Sequence, residues 1–177
     1  MKITKYQIVV FIILLTLCCI PFIHIQNQEP MKNSNNIEKI EENEPEIQQE
    51  EKLTLYDTYS PDEIELLFGV VEAETIGCSV EVKQNVVSVI FNRIESPRFS
   101  YAVDIKSTVL APSQFSVVAN GSYKTVPITQ ETIDACEYVF EYGDTAKGAI
   151  FFENMKSNIH GGYATYLFND GKHKFFI

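Results

Sequence analysis

Two carboxylates, Glu72 and Glu74, stand at the end of an apolar run, in Phe68-Gly-Val-Val-Glu-Ala-Glu-Thr-Ile-Gly77. A charge among apolar neighbours is costly, so a carboxyl placed there holds its proton to higher pH. A carboxyl protonated near neutral pH can donate to a glycosidic oxygen as the bond breaks. The structural alternative is a buried carboxylate that pairs with a cation or caps the next helix.

Helical geometry separates the two. Ser60-Pro61-Asp62-Glu63 reads as a helix start, with Ser60 as N-cap, Pro61 at the first position and Glu63 completing a capping box. Ile64, Leu67, Phe68 and Val71 then recur at three- and four-residue spacing and share a face. At about 100° per residue, Glu74 falls on that face over Leu67, Val70 and Val71. Glu72 falls to the side, near Glu65 and Gly69. Residues two apart on a helix do not face each other, so the glutamates do not form a catalytic pair. Glu74 is the candidate acid and Glu72 the runner-up.

Other chemistries find less material. From residue 53 on there are only two histidines, His160 and His173, and no metal-binding motif, so neither a metal nor a cofactor is expected. Cys78 precedes a helix start, where a thiol loses its proton more easily, and either histidine could serve it as base in a wall peptidase of the NlpC type. Packing is the simpler role for Cys78 and Cys136, with a disulfide between them left open. A two-carboxylate glycosidase needs a second acid, and Glu153, at the end of a strand-like run, is the distant candidate. Gln114, Phe115, Asn120, Tyr123, Tyr163 and Tyr166 are candidate amides and aromatic platforms for a sugar groove.

The surrounding elements read as helices first and a small β element after, an α+β domain. A helix is expected from about 80 to 95, capped by Ser79, with Val82, Val86, Val89, Ile90 and Ile94 inward. Residues 102–110 are ambiguous between a short helix and an extended piece, and 111–116 read as a loop. Another helix should cover 130–142, capped by Thr129 and stopped by Gly143, with Ile133, Cys136, Val139 and Phe140 inward. Strands follow over 148–152, 163–168 and 172–177, the last two flanking the turn Asn169-Asp170-Gly171.

The 177 residues divide into three parts. Residues 6–25 are almost uncharged, follow Lys2 and Lys5 and are long enough to span a bilayer, so 1–25 reads as a membrane anchor or signal segment. Cys18 or Cys19 as a lipid attachment point is a third reading. Residues 26–52 are polar and acidic and read as a flexible linker. Residues 53–177 suffice for one catalytic domain. That region holds sixteen acidic and nine basic residues, which excludes a nucleic-acid partner.

The motifs together resemble a family. Leu67 to Gly77, Val86-Val-Ser-Val-Ile-Phe-Asn-Arg93, Ser96-Pro-Arg-Phe99, Gln114-Phe-Ser-Val-Val-Ala-Asn-Gly121, Phe151-Phe152 and Gly171-Lys-His-Lys-Phe-Phe176 look like successive segments of SleB/CwlJ-type cell wall hydrolases. The likeness runs over roughly 60–177 and looks closest to the clostridial and phage-like branch. It implies a lysozyme-like, mainly helical fold and cleavage of peptidoglycan between N-acetylmuramic acid and N-acetylglucosamine. It also implies lytic transglycosylase activity, as in spore members, with a catalytic Glu opening an E-A-x-G motif. Counting back from Asn92-Arg93 sets that motif on Glu74-Thr-Ile-Gly77, with Thr75 in place of Ala. The competing register on Glu72-Ala73 has Thr75 where the Gly belongs, so Glu72 stays as runner-up. Gln114 and His173 carry over as groove or support residues.

The expectation is thus a wall glycosidase tethered outside the cell membrane, or secreted after signal cleavage. Its mechanism would be that of a transglycosylase in preference to a water-using muramidase. A non-catalytic wall-binding module is the alternative from another class. Vegetative wall, septum and spore cortex, with a role in sporulation or germination, all stay open as targets.

Overall fold

Capping residues fix where most elements begin. In the computed structural model, which describes residues 52–177, Ser60 Oγ accepts the Glu63 amide and the Glu63 carboxylate accepts the Ser60 amide. With Pro61 at the first position, this starts helix α2, Pro61–Glu74. A one-turn helix, α1 (Leu55–Thr58), precedes it, with Asp57 accepting the Thr54 amide. Helix α3 is Val80–Glu95, α4 is Ile105–Val109, α5 is Ser116–Ala119 and α6 is Gln130–Tyr142, with a 3-10 turn at Ser122–Lys124. Asp104 caps α4 by accepting the Ser107 amide, which settles the ambiguous stretch as helix. Ser79 and Thr129 stand at the N-caps of α3 and α6 in extended conformation, but neither side chain accepts from a backbone amide of its own helix.

Three short strands close the domain: β1 (Phe151–Asn154), β2 (Tyr166–Asn169) and β3 (His173–Phe176). β3 lies between the other two and is antiparallel to both, with Glu153 opposite Lys174 and Asn154 opposite His173. β1 starts later than the sequence suggests because Lys147 and Gly148 turn the chain with positive φ. β2 starts later because the amides of Tyr163 and Ala164 are tied to the His160 carbonyl in a turn.

The main core joins α2, α3 and α6 through Leu67, Val70, Val71, Val87, Ile90, Cys136 and Val139. Thr132 and Ala135 of α6 are fully buried, while Ile133 and Phe140 are half-buried, so that helix is rotated from its expected face. α2 also passes very close to the 3-10 turn. A Cβ on Gly69 would lie 2.5 Å from the Tyr123 carbonyl oxygen, so only glycine permits this approach. Cys78 and Cys136 are free thiols. No helix among the described residues is long and apolar enough to cross a membrane. The anchor expected over 1–25 and the linker over 26–52, apart from Lys52, lie outside the described residues.

Candidate active site

Glu72 is the more deeply buried of the two glutamates, 3% exposed, contrary to its expected place at the side of α2. That side is covered by α3 and α6. The Lys83 ammonium, 1% exposed, lies 3.1 Å from Glu72 Oε2 and donates to Thr132 Oγ1 at 2.8 Å. The same carboxylate oxygen accepts from the Thr129 amide at 3.1 Å, the Thr129 hydroxyl at 2.6 Å and the Thr132 hydroxyl. Burial pushes the Glu72 carboxyl up, but the Thr129, Thr132 and Lys83 bonds outweigh it and bring it down to about 2. A carboxylate so engaged stays charged, holds the start of α6 against the end of α2 and has no proton to give.

Glu74 differs in each respect. It is the last residue of α2 and half-buried. Desolvation raises its pKa above the ordinary value, against the Val117 amide and the charges of His173 and Arg93, which favour the ionised form. The open carbonyls at a helix C-terminus also disfavour a negative charge. Thr75 ends the helix and is fully buried, with its hydroxyl donating back to the Val71 carbonyl. The Ala-to-Thr departure is thereby absorbed without an unpaired polar group. Gly77 turns the chain with φ +68 in open space. Thr75, by contrast, has φ −127. The position that requires glycine is thus the fourth after Glu74 counted inclusively, which agrees with the register on Glu74.

Behind Glu74 lies Arg93 of α3. Its guanidinium is buried, with Nε donating to the Ile150 carbonyl at 2.7 Å. It sits 5.0 Å from the Phe115 ring, 5.5 Å from Phe99 and 5.9 Å from Phe151. Its Nη1 has no hydrogen-bond partner. Burial lowers Arg93 to about 10, while Tyr101, Glu74 and Tyr163 act in the opposite direction. His173 on β3 is buried edge-on against Phe152, ring centroids 5.3 Å apart, with Nδ1 3.8 Å from Asp170. It stays within electrostatic reach of Glu74.

The other expected contacts separate. Phe115 is buried against Arg93 and Phe152, which makes it core and removes it as a sugar platform. Glu153 is also buried. Lys174 pairs with it at 2.8 Å, and the amides of Ile159 and His160 donate to it at 2.7 and 3.1 Å. Burial raises its carboxyl, but Lys174 and those amides bring it below the usual range. It holds the β1–β2 loop in place and is not free to act as the second carboxylate of a glycosidase. Tyr123 is half-buried against the main core. Asn120 is exposed and closes a turn by accepting the Ser122 amide. Gln114 lines an open cleft of about 490 Å³ with Tyr101 and Lys106. The Cys78 thiol faces the Ile76 carbonyl, while His160 is bonded to Tyr163 and His173 faces Asp170, so no thiol–imidazole pair forms. Among the described residues no group of three or more His, Cys, Asp or Glu gathers as for a metal.

Lys83 and Arg93 both fall on the inner stripe of α3, with Val86, Val87 and Ile90, beyond the apolar face that its periodicity predicts. A cation on an apolar helix face calls for an acid elsewhere, and that signal was available.

The family described as cell wall hydrolase matches residues 77–176, beginning just after Glu74. Among solved structures, the catalytic domain of the germination-specific lytic transglycosylase SleB from Bacillus anthracis superposes with TM-score 0.60 at 21% identity, covering 68% of this chain and 98% of that one. The catalytic domain of the Bacillus cereus SleB protein gives 0.59 at 22% identity, covering 67% and 92%. At these identities the likeness establishes the fold. No curated protein matches.

Proposed function

The chain belongs to the cell wall hydrolase family, and on that premise we propose that it cleaves peptidoglycan glycan strands as a lytic transglycosylase with Glu74 as its single acid and base. The protonated Glu74 carboxyl donates to the glycosidic oxygen of N-acetylglucosamine as the bond to muramic acid C1 breaks. The muramic acid 6-hydroxyl bonds to C1, and its proton passes to the Glu74 carboxylate, which restores the acid. Water is neither consumed nor released.

The observation that carries this reading is the contrast among three carboxylates. Glu74 is desolvated with its pKa raised, whereas Glu72 and Glu153 are held as anions by the Lys83 and Lys174 ammonium groups and by hydrogen bonds. A route that needs one protonated carboxyl suits this set better than one that needs a second free carboxylate. The same proposal takes residues 6–25 as a membrane anchor and 26–52 as a tether, with the domain acting on wall outside the cell membrane.

Mass spectrometry of purified peptidoglycan digested by the full chain tests the reaction. Anhydromuramic ends are expected. Reducing muramic ends would replace the internal hydroxyl by water, cut stem peptides would overturn the glycosidase reading, and an unchanged polymer would leave a binding module.

A further inference from the structure

The cleft that holds Gln114 is larger than one amide requires and carries a charge. Tyr101 forms one wall and is 44% exposed, Leu110 is exposed on the floor, and Lys106 and Ser107 project from α4. Lys106 has no carboxylate within 4 Å among the described residues. Its near neighbour Asp104 caps α4 and feels the Lys106 charge without forming an ion pair with it. In a domain with an excess of acids, a cation left unpaired in a cleft favours an anionic visitor. Gln114 makes only one long hydrogen bond, at 3.4 Å to the Pro112 carbonyl, so its amide is available.

A chain of packed side chains links the cleft wall to the region of Glu74. Tyr101 packs edge-on against Phe99 at 5.9 Å, Phe99 lies under the Arg93 guanidinium, and Arg93 is within electrostatic reach of Glu74. Beyond Phe99 the aromatic belt continues through Phe151, 5.7 Å away, to Tyr163, a further 5.9 Å on. Tyr163 is 57% exposed with its hydroxyl tied to His160 Nδ1. Two exposed, edge-anchored tyrosines thus flank the buried Arg93. Rings held in this way stack on sugar faces with little ordering cost.

We propose that the Tyr101–Lys106–Gln114 cleft is a saccharide subsite that selects a carboxylate-bearing sugar. Tyr101 stacks on the ring, Gln114 bonds its amide substituent, and Lys106 reads a carboxylate carried by muramic acid, on the lactyl group or on its stem peptide. The inference rests on peptidoglycan as substrate and adds how the strand is held in register.

The test is calorimetric titration of the full chain carrying Glu74→Gln, which blocks turnover. Three tetrasaccharides serve as probes: chitotetraose, alternating N-acetylglucosamine–N-acetylmuramic acid with free lactyl carboxyls, and the same glycan bearing stem peptides. At low salt a carboxylate-bearing glycan should bind about threefold to fivefold tighter than chitotetraose, as for an exposed ion pair, and added salt should shrink the gap. Preference for the stripped glycan assigns the lactyl carboxyl, and preference for the peptide form alone assigns the stem. Adding Lys106→Gln should erase the preference and leave chitotetraose unchanged, whereas Tyr101→Ala should weaken all three about tenfold with an unchanged melting temperature. Equal binding of all three glycans, indifferent to Lys106→Gln, overturns the subsite. If the wild-type chain cleaves peptidoglycan while that happens, only the subsite fails. If it does not cleave, yet Lys106 still selects carboxylates, the reaction fails and the subsite stands.

Discussion

A carboxyl at the C-terminal end of a helix meets the negative pole of the helix dipole, and Glu74 adds desolvation to that penalty. Its proton is therefore held more tightly in the folded chain than in the unfolded one. The folded state binds more protons as pH rises from the unfolded value near 4.5 to the raised folded value, so in that window stability falls as pH rises. Glu74→Gln removes the ionisation. The variant should melt higher than wild type at neutral pH, with the gain fading below about pH 4.5; calorimetric scans against pH measure this. The alkaline limb of the kcat/KM profile should likewise lie above the usual carboxylate range, because a general acid must be protonated to act. Side-chain spacing along α2 put Glu74 on the apolar face, where it is half-buried. It could not reveal the burial of Glu72, whose partners Thr129 and Thr132 lie 57 and 60 residues away.

The last turn of α2 is held from two sides. The Glu72–Lys83 pair ties it to α3 and to the start of α6, and the missing side chain of Gly69 lets it lie against the 3-10 turn. Glu72→Gln leaves the Lys83 ammonium buried without its counter-charge and should cost about 3–5 kcal/mol in denaturant unfolding. The Glu72 carboxyl is lowered when folded, so its contribution is present above about pH 4.5 and lost as pH falls through about 2. Glu72→Gln should flatten stability across that acid window. Gly69→Ala puts a methyl against a backbone oxygen and should cost about 1–3 kcal/mol in the same measurement. Helix starts were legible because caps are local: Ser60, Pro61 and Glu63 specify α2 within four residues. Strand starts were less so, because the left-handed turn at Lys147 and Gly148 carries no signal in the Lys side chain. The rotation of α6 likewise follows from Thr132, a polar residue drawn inward by Lys83 and Glu72.

On the proposed reading of residues 6–25 as an anchor and 26–52 as a tether, the domain works on a short leash from membrane to wall. Deleting residues 1–25 should shift the protein from the membrane fraction to the soluble fraction without changing the activity of the purified domain; fractionation and a lysis assay check both. The order of helices before strands was readable from sequence, and the fold agrees with the SleB catalytic domains. The cleft beside Tyr101 was not readable, because its walls come from loop and helix residues with no periodic pattern. The most direct measurement compares Glu74→Gln with Glu72→Gln on purified peptidoglycan, following released glycan fragments, at a temperature where both variants are shown to be folded. Glu74→Gln should release none while melting at or above wild type, and Glu72→Gln should melt lower yet retain cleavage. Full activity in Glu74→Gln, or loss confined to a folded Glu72→Gln, would contradict Glu74 as the acid.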